Sequence, residues 1–218
     1  MPGQGAAHPQ DDTIVSVDFA DFQPALFAAT VMNAFDRPWC IAGGWAIDLW
    51  LGRLTRAHSG VVVAVFRDDQ IALRDFLHNW NFAIPVQHDG KSMLRALPRA
   101  DRQMLMPPVH SLHGESAHSR RVMFALEERD SVDWLYRRDR RIRWPVDQWT
   151  VRGAFGVPAL APHLALLLKS TQPRDRDTLD FRSALPQLDP ELRAWLSDAI
   201  TLAAAGHPWL GAITAPGR

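Results

Sequence analysis

The chain has 218 residues, 47% of them hydrophobic, with 24 basic and 24 acidic side chains. That length supports one substantial domain or two small ones, and no run approaches the ~18 uninterrupted apolar residues of a membrane span. Balanced charge gives no reason to expect nucleic acid or an anionic membrane as a partner.

In chain order, the first twelve residues carry neither a basic n-region nor an apolar h-region, so no signal peptide is expected. Residues 1–15 are expected to form a disordered polar tail. The stretch 21–36 places Phe22, Leu26, Phe27, Val31 and Phe35 on a helical stripe. Cys40 to Ala42 then form a short apolar strand. Cys40 is the only cysteine, which excludes an internal disulfide framework and a Cys-rich zinc site. Its apolar setting predicts a buried small hydrophobe, and a cytoplasmic location is expected. Gly43 and Gly44 break the strand, and Trp45, Ile47, Asp48, Leu49 and Leu51 suit a short amphipathic helix. A second apolar run, Val61 to Phe66, is rich in β-branched residues and predicts a buried strand. Strand, glycine pair, helix and strand make a phosphate-binding geometry: glycines let backbone approach a ligand, and the helix N-terminus offers N–H groups.

Further on, Asp68-Asp69 is expected to cap a helix to about residue 79, followed by a strand over 81–86. The stretch 87–119 holds four His and three Pro with little periodicity, and is expected to be irregular chain able to fold over a pocket. Arg121 to Glu128 predicts a strand, residues 130–133 a turn, and the basic run 134–143 a second strand or ribbon. Residues 148–152 and 157–160 close the sheet region. Helices are predicted over 163–170, 177–185 and from Asp189-Pro190-Glu191 to Ala204, the last from its cap, its Pro at the first helical position and its acidic first turn. Nine tryptophans against one tyrosine point to large apolar surfaces in cores or pockets.

Several stretches carry a resemblance. Gly-Gly-Trp-Ala-Ile-Asp-Leu (43–49) and Gly-Arg-x-Thr-Arg-x-His (52–58), followed by a strand, resemble the aminoglycoside 2''- and lincosamide nucleotidyltransferases of the polymerase-β-like superfamily. Trp-Leu-Tyr-Arg-Arg-Asp (134–139), Leu-Leu-Lys169, Pro-Arg-x-Arg-Asp177-x-x-Asp180-Phe and Gly-His-Pro-Trp209 are similar to family sequence in the same order. The likeness spans roughly residues 20 to 210. It implies an α/β (α+β) fold: a nucleotidyltransferase-type mixed sheet with flanking helices over 16–157, then a small helical region over 158–218.

In that family the strand after the His carries an Asp-x-Asp pair, which with a third carboxylate on a neighbouring strand holds two Mg²⁺. The matching positions here are Gly60 and Val62, and the third falls at Met123 or, with a two-residue slip, Ala125. Because 122–126 contains no carboxylate, the resemblance implies a degenerate member without metal-dependent nucleotidyl transfer. No metal or cofactor is therefore expected.

The expected pocket is apolar-floored and suited to an apolar or aromatic small molecule. Its expected lining is Gly43, Gly44, Trp45, Arg56, Gly60, Val62, Met123, Trp134 and Lys169. His58 is the candidate acid–base group, with Glu127 or Asp48. Each has a plainer alternative. His58 can shape its loop through a backbone carbonyl, Glu127 can be a solvated strand end, and Asp48 can bond loop N–H groups or Arg56. Lys169 and Arg174 sit where the family is expected to hold triphosphate, or serve as surface charges. Three functions stay open: a metal-independent cyclase, isomerase or hydrolase of secondary metabolism, a non-catalytic binding protein, and a residual nucleotidyltransferase.

Overall fold

Strand β1 (Trp39–Ala42) passes directly into helix α2 (Gly44–Leu51) because Gly43 adopts φ 71, ψ -143, a conformation open to glycine but not to residues with a Cβ. Gly52, left-handed at φ 67, ends the helix. In the computed structural model, which describes residues 19–215, Trp45, Ala46, Ile47, Asp48 and Leu49 of α2 are all buried. A helix apolar on most sides must be covered on most sides, and α2 packs against helices α4 (Pro162–Ser170) and α5 (Asp175–Ala184). The expected tail over 1–15 lies outside the described residues.

The remaining elements are α1 (Gln23–Met32), β2 (Val62–Phe66), α3 (Gln70–Phe76), β3 (Asn81–His88), β4 (Lys91–Leu97), β5 (Ser111–Glu115), β6 (Arg121–Arg129), β7 (Asp133–Leu135), β8 (Arg143–Pro145), β9 (Thr150–Arg152), β10 (Pro158–Leu160), α6 (Pro190–Ala203) and α7 (Leu210–Thr214). The strands form one mixed sheet in the order β4-β3-β5-β6-β2-β1-β10-β9, with the β7–β8 ribbon attached to the end of β6. β1 pairs with β10, and β2 with β6, in parallel; the other pairs are antiparallel. The mixed α/β architecture agrees with expectation. The sheet runs on to Leu160, and among the described residues only helices and turns follow.

Four local expectations are corrected. The helix after Asp68-Asp69 ends at Phe76, and neither acid caps it; both instead pair with Arg129, whose guanidinium lies over the Phe66 ring. At α6, Pro190 takes the first helical turn, but Asp189 makes no capping bond. The stretch 87–119 is not irregular throughout. It completes the β3–β4 hairpin, turned at Asp89 and Gly90 with φ 48 and 70, and contributes β5. Positive φ at both turn residues is the pattern that matches strand twist in a two-residue hairpin. The basic run after Tyr136 is a turn between β7 and β8, closed by bonds from Asp139 N to Tyr136 O and Ile142 N to Asp139 O.

The connection 98–110 does not close over the sheet's cavity. Arg67 Nη1 donates to Leu105 O and Val109 O at 2.8 Å each, and the Gln70 side chain exchanges bonds with Leu105. Gly114, mid-β5, is packed from behind by aromatic rings. A Cβ there would lie 2.8 Å from Phe124, 3.0 Å from Trp80 and 3.2 Å from Phe82. Gly114→Ala is therefore expected to lose about 1–3 kcal/mol in equilibrium denaturation, the usual cost of overpacking. An unchanged midpoint would show that these rings move freely.

Candidate functional site

Sheet register assembles the floor of a cavity of about 690 Å³. Ala96 pairs with Ala83, Ala83 with His113, His113 with Met123, and Met123 with Val62. Residues in one such row face the same side of a sheet, and all five line the cavity. Gly60 lines it too, and a Cβ at Gly60 would meet nothing within 4 Å. The pairing of Val62 with Met123, reinforced by Met123 N donating to Val61 O, places Met123 rather than Ala125 beside Val62.

Gly44, Arg56 and His58 form one wall. A Cβ on Gly44 would meet the Arg56 guanidinium and come within 2.6 Å of His58 Cε1 and 2.8 Å of its Nδ1, so both side chains close over this glycine. His58 Nε2 lies 2.6 Å from Asp48 Oδ2, and Thr55 Oγ1 donates to Asp48 Oδ1 at 2.5 Å. A carboxylate facing Nε2 assigns the proton to that nitrogen and leaves Nδ1, on the Gly44 side, as the acceptor. The Trp45 ring lies against the imidazole, with centroids 4.2 Å apart. Asp48 is thus wholly buried behind His58 and bonds neither loop N–H groups nor Arg56.

Arg56 spans the chain to α5. Its Nε and Nη2 donate to the two oxygens of Asp180 at 2.8 Å each, and Lys169 Nζ reaches Asp180 at 2.7 Å and Asp177 at 3.0 Å. Arg174 also donates to Asp177, at 2.7 Å. Burial pushes the Asp177 carboxyl up, but the bonds from Arg174 and Lys169 outweigh it and hold it at about 2. Lys169 and Arg174 both line the cavity, alongside Arg176.

Two expected lining residues and one acid lie elsewhere. Trp134 is fully buried and donates from Nε1 to Glu127 at 3.0 Å. Glu127 is opposite Phe66, four residues along β6 from Met123. It is neither solvated nor in the cavity; burial pushes its carboxyl up. Trp45 backs His58 without lining the cavity. Cys40 is wholly buried. The floor also holds a residue the sequence did not single out: His113, whose pKa burial lowers. Arg121, Glu115 and Asn81 pair in the neighbouring row and were missed likewise.

Positions 60, 62 and 123 offer a hydrogen, an isopropyl group and a thioether. None is the hard oxygen donor that Mg²⁺ requires, and no group of three or more His, Cys, Asp or Glu among the described residues is placed to hold a metal ion. The residues present do not fit a two-metal centre.

The aminoglycoside-2''-adenylyltransferase family model matches residues 27–96, the segment from α1 to β4 that carries the glycine pair, His58 and Val62. Over that segment the chain is similar to the aminoglycoside-2''-adenylyltransferase family. Its structure is similar to the crystal structure of ANT(2'')-Ia in complex with adenylyl-2''-tobramycin, with a TM-score of 0.53 and 13% identity, covering 84% of this chain and 99% of that one. The lincomycin-bound crystal structure of the lincosamide adenylyltransferase LnuA matches with a TM-score of 0.49 and 12% identity, over 74% and 94% of the two chains. At 13% identity the likeness to ANT(2'')-Ia is one of fold. No curated protein matches the sequence. Among the described residues, no helix is long and apolar enough to cross a membrane.

Proposed function

We propose that the cavity holds an organic small molecule with an apolar or aromatic body, and that His58, oriented by Asp48, acts on it as an acid–base group without a metal ion. The observation that carries this reading is the floor itself: Gly60, Val62 and Met123 stand where the resemblance implies metal-binding carboxylates, and Ala83 and Ala96 extend the row beyond His113 with apolar surface. An apolar cleft with a few convergent polar groups is the usual form of an organic-ligand site. The chemistry that follows is proton transfer. His58 Nδ1 accepts a proton from a ligand O–H or C–H, the Asp48 carboxylate stabilises the resulting imidazolium, and the proton returns at a second ligand atom or to water. Cyclase, isomerase and hydrolase reactions of secondary metabolism use such steps.

The family-model match over residues 27–96 favours a second reading, a nucleotidyltransferase acting on an antibiotic with acids other than carboxylates at 60, 62 and 123. Pyrophosphate release separates the two. With ATP or GTP, Mg²⁺ or Mn²⁺, and tobramycin or lincomycin as acceptor, the protein is expected to release no more than a blank without protein. Metal-dependent release above the blank supports the transferase and overturns the proposal. Once a ligand is found, His58→Ala is expected to abolish turnover, about a hundredfold or more. Loss of affinity alone marks a non-catalytic binding protein.

A further inference from the structure

We infer that the molecule this cavity takes is an organic anion, a flat apolar body carrying a carboxylate or sulfonate head. The inference rests on the organic-ligand reading above and deepens it. Five cations line the cavity: Arg56, Arg121, Lys169, Arg174 and Arg176. Three of them are committed, since Arg56 and Lys169 converge on Asp180, and Lys169 and Arg174 on Asp177. Arg121 and Arg176 are not. Arg176 has no ion pair or side-chain hydrogen bond among the described residues, and Arg121 approaches only Glu115, at 3.9 Å. That distance is too long for a hydrogen bond.

Register makes the position of Arg121 informative. Val62 is opposite Met123; Gly60 lies two residues before Val62 and Arg121 two residues before Met123, and both line the cavity, the first beside open space. A ligand body lying on Val62 and Met123 therefore has a guanidinium at its edge, and a planar guanidinium fork matches a carboxylate or sulfonate. A polyamine in the same place would meet five cations against the two lining acids Glu115 and Asp177, an excess of positive charge that selects against it.

The test uses the full chain and two fluorescent probes of one shape. 1-Anilinonaphthalene-8-sulfonate carries the anionic head, and N-phenyl-1-naphthylamine lacks it. The sulfonate is expected to bind at one saturable site about tenfold tighter than the neutral probe at low salt. The Arg121→Gln/Arg176→Gln pair is expected to erase most of that difference, because partly exposed ion pairs are each worth a few-fold. Gly60→Phe, at a position where a side chain meets open space, is expected to weaken both probes at least fivefold. 2-Naphthoate should displace the sulfonate, and inorganic triphosphate should not.

Equal binding of both probes, or an arginine pair variant with unchanged selectivity, overturns the anion inference and leaves the apolar cavity standing. Binding of neither probe, or binding insensitive to Gly60→Phe, overturns the organic-ligand reading itself. Displacement by triphosphate transfers the cations to a phosphate ligand and overturns the inference in favour of a nucleotide.

Discussion

Replacing Asp180 by Ala is expected to cost about 3–5 kcal/mol of stability, the usual penalty for stranding the partners of a buried ion pair. Asp180 is wholly buried and accepts from Arg56 Nε and Nη2 at 2.8 Å each, and from Lys169 Nζ at 2.7 Å. It ties the loop before β2 to α4 and α5, and its removal strands the Arg56 guanidinium and leaves Lys169 with Asp177 alone. Asp180→Asn keeps the shape and one acceptor and is expected to lose less. Because Arg56 and His58 together cover Gly44, the Ala variant also loosens the wall that holds His58. Equilibrium denaturation measures the loss, and a cost below about 1 kcal/mol would show that Arg56 and Lys169 find other partners.

Acidification from pH 6.5 to pH 4 is expected to remove about 3 kcal/mol of stability through a single residue, His163. Its ring lies edge-on to Trp144 and Trp195, at centroid distances of 4.3 and 5.0 Å, and both ring nitrogens are buried without a hydrogen-bond partner. Burial lowers its pKa to about 4, against about 6.5 in an unfolded chain. Between these values the unfolded state binds the extra proton, so stability rises with pH. The contribution is complete above about pH 6.5, falls as pH drops, and is fully lost below about pH 4. His163→Phe keeps the aromatic packing and removes the proton. It is expected to flatten this part of the pH profile and to match or exceed the parent at pH 7, since no buried donor is left unmet. A parallel profile for the variant would assign the acid sensitivity to other groups.

The strand–glycine–helix–strand unit was legible in the sequence because its signals are local: two apolar runs, a glycine pair and a helix stripe within about one turn of each other. The register of β2 against β6 was not legible: the resemblance left Met123 or Ala125 open, and only the strand pairing sets Met123 beside Val62. The hairpin was missed for a physical reason. β4 is exposed along almost its whole length, so it lacks the alternation that betrays a half-buried strand. The Asp89-Gly90 turn was the available signal. His113 was invisible as a site residue because only the pairing of β3, β5 and β6 brings it to the floor. The partners of His58 and Arg56 differ in the same way. Asp48 is ten residues from His58, within reach of a loop, whereas Asp180 is 124 residues from Arg56 and no spacing in the sequence announces it. Trp134 and Glu127 satisfy each other in the core, as a buried indole and a buried acid usually must.

Under the proposed function, the floor of this cavity serves no metal-bound nucleotide. Thermal shift with ATP and GTP, each with and without Mg²⁺ and Mn²⁺, tests it most directly when run on the parent chain beside Gly60→Asp/Val62→Asp/Met123→Asp. A ligand that binds only the folded state raises the melting temperature with its concentration. No metal-dependent nucleotide shift is expected in the parent, and such a shift is expected once carboxylates stand at 60, 62 and 123. Metal-dependent stabilisation of the parent chain by either nucleotide would contradict it.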